Sequence, residues 1–84
     1  MKHKQFFIYL NPLIIDRWIA FTGEIPSNAV EGGYEGNEKL FVGKKFYNGY
    51  DLIGKIVSID KVIYIPCRDH ELKFISNFDI LVVN

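Results

Sequence analysis

Two apolar runs, Ile56-Val57-Ser58-Ile59 and Val62-Ile63-Tyr64-Ile65, stand on either side of Asp60-Lys61. Both are rich in β-branched and aromatic side chains, which fit a pleated, half-buried surface better than a helix. The pair therefore reads as a β-hairpin turning at the two residues Asp60 and Lys61. Working outward, the same kind of short run recurs along the chain, separated by Gly, Asn, Asp or Pro. Candidate strands fall at 5–10, 13–20, 28–33, 39–46, 53–59, 62–66, 71–75 and 78–83. Asn11-Pro12 reads as the turn joining the first two. Residues 13–21 are the one stretch where a helix competes, because their apolar positions keep neither a 3.6- nor a 2-residue period.

All the glycines lie between Gly23 and Gly54, so the middle of the chain is dense in turns. Gly32-Gly33 inside a strand pattern predicts a bulge. The fold class expected is all-β: a small antiparallel sheet or sandwich of short strands. Strands this short do not readily close a ligand-holding barrel in 84 residues, which points to a surface groove or an interface site. Placement within strands makes Tyr34, Phe41, Tyr64 and Phe78 core candidates.

Composition narrows the function classes. Ten basic residues balance ten acidic ones, which disfavours nucleic acid as a partner, since phosphate binding shows as a basic surplus. The single run of aromatics among lysines, Lys44-Lys45-Phe46-Tyr47, reads as a strand with a solvated lysine edge. With 49% hydrophobic and 15% aromatic residues the chain is not disordered. No stretch approaches the roughly 20 apolar residues that span a bilayer, so membrane insertion is not expected. The basic and apolar start, Lys2 to Leu10, outlines a signal peptide, but Asn11-Pro12 breaks the run and Ala20-Phe21-Thr22 is a poor cleavage site. With one cysteine besides, the expected location is the cytoplasm, or outside the cell by an unconventional route.

Catalytic constellations are scarce. Cys67 and His70 are too close in sequence, on one turn, to read as a nucleophile and base, which usually meet from separate elements. Cys67, Asp69, His70 and Glu71 crowd too few residues to wrap a metal tetrahedrally. Gly32-Gly33-Tyr34-Glu35-Gly36 lacks the Gly-Lys-Ser/Thr of a phosphate loop and carries acids that repel phosphate. No enzyme, no cofactor and no metal are expected.

From Trp18 onward the runs form one ordered series. It comprises Gly23-Glu24-Ile25-Pro26-Ser27-Asn28-Ala29-Val30, Gly32-Gly33-Tyr34-Glu35, Leu40-Phe41-Val42-Gly43-Lys44 and Gly54-Lys55-Ile56-Val57. Val62-Ile63-Tyr64-Ile65-Pro66, Glu71 and Phe78-Asp79-Ile80-Leu81 complete it. The series resembles the DM9 repeat, a module of invertebrate lectin-like proteins and of the amino terminus of natterin-type toxins. The resemblance implies a β-rich fold, mannose-type sugar recognition and repeats that occur in tandem with exchanged strands.

It also implies a recognition pair, an acid after the Gly-Gly-aromatic turn and the lysine of the Gly-Lys step, here Glu35 and Lys55. The family usually has aspartate at the first position, so Glu35 is a departure. Lys44 stands where arginine is common, and Glu71 matches an acid near the last strand. A carboxylate and an ammonium suit sugar hydroxyls, which both donate and accept, and Tyr34 is an aromatic that could cover the ring's apolar face. The bland alternative for Glu35 and Lys55 is a surface ion pair.

The expected organisation is an extension over 1–17, a candidate exchanged arm, followed by a single DM9-like repeat over 18–84. One repeat where pairs are usual implies a homodimer, with a non-catalytic lectin module gaining avidity from it. The alternative is a structural or oligomerisation module that keeps the fold without the sugar site.

Overall fold

The computed structural model describes residues 16–84. They form β1 (Asp16–Ala20), β2 (Glu31–Glu35), β3 (Glu38–Tyr47), β4 (Tyr50–Val57), β5 (Val62–Cys67), β6 (His70–Phe74) and β7 (Asp79–Val83). All pairings are antiparallel within one sheet of order β1-β7-β3-β4-β5-β6, and β2 pairs with β3 off that path. The all-β antiparallel expectation therefore holds. The stretch that competed for helix is strand β1 over its described residues. The candidate strand at 5–10 lies outside the described residues, as do the turn at Asn11-Pro12 and most of the extension over 1–17.

Strand β3 organises the sheet because its length gives it three partners. One edge carries β4 along its whole length; the other is shared by β2, opposite Glu38–Phe41, and β7, opposite Gly43 and Lys44. The chain between β1 and β2 runs along β7 before reaching β3, with Val83 N donating to Asn28 O and Val30 N to Leu81 O. The Asn28 side-chain amide also donates to the Val83 carbonyl at 2.7 Å.

Strand alternation sorts the side chains onto two sides. On one lie Phe41, Ile56, Ile63, Ile65, Ile80 and Val82, packed with Phe78 as a buried core. Phe21, Ile25 and Ala29 from the long loop pack onto this core, with Phe21 stacked on Phe78 at 5.1 Å. On the other side Leu40, Val42, Val57, Val62 and Leu81 are buried as well. Central strands covered on both faces read as continuous apolar runs rather than alternating ones, as Leu40-Phe41-Val42 and Ile80-Leu81-Val82 do.

Gly43 and Gly54 are register partners at the centre of β3 and β4. A Cβ on Gly43 would lie 2.6 Å from Ile63 Cδ1 and 2.8 Å from Ile56 Cγ1, and one on Gly54 would run into the Tyr64 carbonyl oxygen. The two bare positions let the sheet bend tightly around the core isoleucines. At the far end of β3 the Lys45 ammonium donates to Asn77 O at 2.9 Å, and Tyr47 packs on Phe74 at 5.0 Å.

Two expectations need correction. The β4–β5 connection is a four-residue loop, Ser58 to Lys61, because Val57 pairs with Val62. Asp60-Lys61 lacks the sequence of a tight primed turn; Lys61 takes a positive φ of 58° and its amide donates to Val57 O. The second correction is Tyr34, which is 55% exposed rather than core. It sits near the tip of the β2–β3 hairpin, beyond the reach of the layer that covers Phe41. Phe41 and Phe78 are buried as expected.

Candidate functional site

The site begins with a bulge. Glu31 pairs with Phe41 but Gly33 pairs with Leu40, so buried Gly32 is the extra residue, where the sequence placed it. The added residue changes the count, and Glu35 then pairs with Glu38 across the Gly36-Asn37 turn. Gly36 meets that turn's requirement for positive φ, at 62°. Residues paired across antiparallel strands share a side. Glu35 consequently falls on the side of Leu40 and Val42, and Val42 pairs with Lys55. Glu38 is engaged elsewhere, accepting the Ser58 hydroxyl at 2.8 Å.

Lys55 is the buried charge of the described chain, with only 8% of its side chain exposed. An ammonium withdrawn from water needs partners, and it has two: a Glu35 carboxylate oxygen at 3.2 Å and a Glu71 oxygen at 3.1 Å. The glutamates come from β2 and β6, which are not neighbours of each other or of β4. Each keeps roughly a quarter of its side chain in contact with solvent, 28% and 27%. The result is a buried ammonium held by two glutamates whose side chains are about three-quarters covered. Three residues separated by up to 36 positions in sequence thus converge on one nitrogen.

The Gly-Lys step now has a physical reading. Gly54 points to the core side, where no side chain fits, and Lys55 points to the opposite side, beneath the two acids. Tyr64 is the direct register partner of Lys55, and the ammonium lies 6.0 Å from the centre of its ring. Its hydroxyl donates to Asp60 at 3.0 Å. Burial, that hydrogen bond, and the charges of Asp60, Glu71 and Glu35 together raise its pKa above the ordinary value of 10.0, so the phenol is neutral at any physiological pH. Tyr64, expected in the core, is instead part-exposed and lies on the opposite side of the sheet from the core, beside Lys55. The signal was available in the alternation of Val62, Tyr64 and Pro66, once the hairpin register was known.

Of the five residues singled out from sequence, the structure brings Glu35, Lys55 and Glu71 together. Lys44 is placed with Trp18 instead, its ammonium 4.9 Å from the indole centroid. Tyr34 pairs with Lys39 and points to the other side of β2 from Glu35. Residues 10–74 match a family model described as the DM9 repeat. The chain belongs to the DM9 repeat family. No curated protein and no solved structure matches it. DM9 repeats are a non-enzymatic binding module known in lectin-like proteins, and in this one the buried cluster is built on the Gly-Lys step of the repeat.

Cys67 and His70 are register partners flanking the β5–β6 turn, with His70 Nδ1 3.3 Å from exposed Asp69. Among the described residues, no three or more His, Cys, Asp and Glu side chains are grouped to hold a metal ion. No helix of the described residues is long and apolar enough to cross a membrane.

Proposed function

We propose that this DM9 repeat is a non-catalytic carbohydrate-binding module for neutral, mannose-type sugars. The observation that carries the reading is the Lys55 ammonium held between the Glu35 and Glu71 carboxylates, each part-open to solvent. Carboxylates accept sugar O–H groups, and the ammonium donates to a hydroxyl or ring oxygen. Such charge-assisted bonds are stronger than neutral ones and sense hydroxyl stereochemistry. Two acids against one base leave an acceptor-rich site, which favours a neutral polyol over an anionic ligand. Glu35 in place of aspartate is accommodated here, since its longer side chain reaches Lys55 at 3.2 Å.

A single site of this kind corresponds to millimolar to tens of micromolar affinity, about 4–6 kcal/mol. Useful recognition then rests on multivalency, and we assign that to a homodimer of this chain. Titration with mannose, followed by NMR with galactose as control, tests the reading. Amide shifts around Glu35, Lys55 and Glu71 with mannose, lost in Glu35→Ala while the fold persists, are expected. Flat spectra with both sugars at tens of millimolar would overturn it.

A second reading has an observation in its favour. The same cluster ties β2 and β6 to β4, as a structural clamp would, and a module serving only assembly needs nothing more. That reading predicts the flat titration together with an intact dimer.

A further inference from the structure

A pyranose has a polar rim but also a face of C–H groups, and a site that binds only the rim leaves that face in water. The DM9 resemblance pointed to Tyr34 as the aromatic next to the acid, but alternation turns Tyr34 away from Glu35. Trp18 lies under the Lys44 ammonium, and Phe41 and Phe78 are in the core. Tyr64 stands differently. It is directly across from Lys55 on the same side of the sheet, part-exposed, with the ammonium 6.0 Å above its ring. Pro66, two residues on, pairs with Glu71, so the ring also neighbours the second acid. The hydroxyl donates to Asp60 at 3.0 Å, and it is the ring's face that lies beneath the Lys55 ammonium.

The Lys55 ammonium lies over the face of the Tyr64 ring, so a sugar oxygen held by it at about 2.9 Å brings the adjoining ring carbons toward that face. Resting on the carbohydrate reading, we propose that Tyr64 is the apolar wall of the site. Its ring packs against the C–H face of a neutral pyranose whose hydroxyls are held by Lys55, Glu35 and Glu71. A stack of this kind reads out sugars whose C–H groups gather on one face, and it is insensitive to the phenol hydroxyl.

The test is an NMR titration with methyl α-D-mannoside of the full chain and of Tyr64→Phe, Tyr64→Leu and Tyr34→Ala. Tyr64→Phe keeps the ring and stays within about twofold of the parent affinity, whereas Tyr64→Leu keeps bulk but loses about three- to tenfold. Tyr34→Ala is unchanged. The sugar's C–H protons shift upfield in the parent and in Tyr64→Phe, from the ring current, and not in Tyr64→Leu. Equal binding by the parent and a folded Tyr64→Leu, or loss of binding in Tyr34→Ala alone, overturns the assignment while leaving the sugar site standing. No binding by the parent overturns both.

Discussion

Glu71 on β6 reaches past β5 to meet Lys55 on β4, with 3.1 Å between carboxylate oxygen and ammonium. Strands two places apart in the sheet are thereby joined by side chains alone. Because Glu35 approaches the same nitrogen from β2, the charge cluster draws on both flanks of the sheet's centre.

Removing the shared cation should cost more than removing either acid. Lys55→Met leaves two carboxylates close together without a counter-charge. The cost expected is about 1–3 kcal/mol, below the usual figure for a broken buried pair because both glutamates reach solvent. Glu35→Gln and Glu71→Gln each leave one ion pair and should lose less than about 1 kcal/mol. Urea unfolding of the three variants gives the order; a Lys55→Met protein as stable as the parent contradicts it.

The phenol of Tyr64 predicts a sensitivity to alkali. Its pKa is raised in the folded state by burial, by the bond to Asp60 and by nearby negative charge. The folded chain therefore keeps this proton after the unfolded chain has lost it, and stability falls as pH rises through that interval. The contribution is complete below the ordinary value of 10.0 and disappears through the raised one. Stability measured from about pH 8 to 11 should converge for the parent and Tyr64→Phe at the alkaline end. A constant gap across the range would show that the proton is not linked to folding.

At Gly43 and Gly54 the sheet has no room for a methyl group. Gly54→Ala meets backbone, the Tyr64 carbonyl, and should destabilise by about 2–4 kcal/mol; Gly43→Ala meets isoleucine side chains and should cost about 1–3 kcal/mol. Thermal melts of both variants distinguish this from an ordinary strand glycine, where alanine would be neutral or better. Gly54→Ala should also shift the amide of Tyr64 in NMR spectra.

The homodimer assigned to the module predicts a light-scattering mass of two 9.8 kDa chains at micromolar concentration. A mass of one chain would remove the source of avidity. The sugar site itself would stand, with millimolar affinity as its limit.

Much of the architecture was legible in the residues. Seven of the eight candidate strands fall on β1–β7, because short β-branched runs between glycines and polar turns have no competing helical period. The bulge at Gly32 was legible from the two glycines set inside a strand pattern. The turn that was overlooked is Asn48-Gly49, which joins β3 to β4 with Tyr47 paired to Tyr50. Both residues have positive φ, 52° and 85°, as the tight primed turn demands, and the pair carries a stronger hairpin signal than Asp60-Lys61. Reading 39–46 and 53–59 as strands left the intervening residues as loop, although the strands continue to the turn.

The functional residues divide along a different line. Glu35, Lys55 and Glu71 were singled out through a family pattern, which records the outcome of folding without its geometry. That they share one nitrogen depends on four registers in succession: the bulge in β2, the β3–β4 pairing of Val42 with Lys55, the β4–β5 pairing of Lys55 with Tyr64, and the β5–β6 pairing of Pro66 with Glu71.

By itself the sequence determined the all-β class, the apolar runs from which the strands are built and the bulge at Gly32-Gly33, since those follow from side-chain shape and local backbone freedom. Only the tertiary structure decided that Tyr64 and not Tyr34 stands beside Lys55. A one-residue change of register carries a side chain to the opposite face of a sheet, and register is set by strands that meet across the fold.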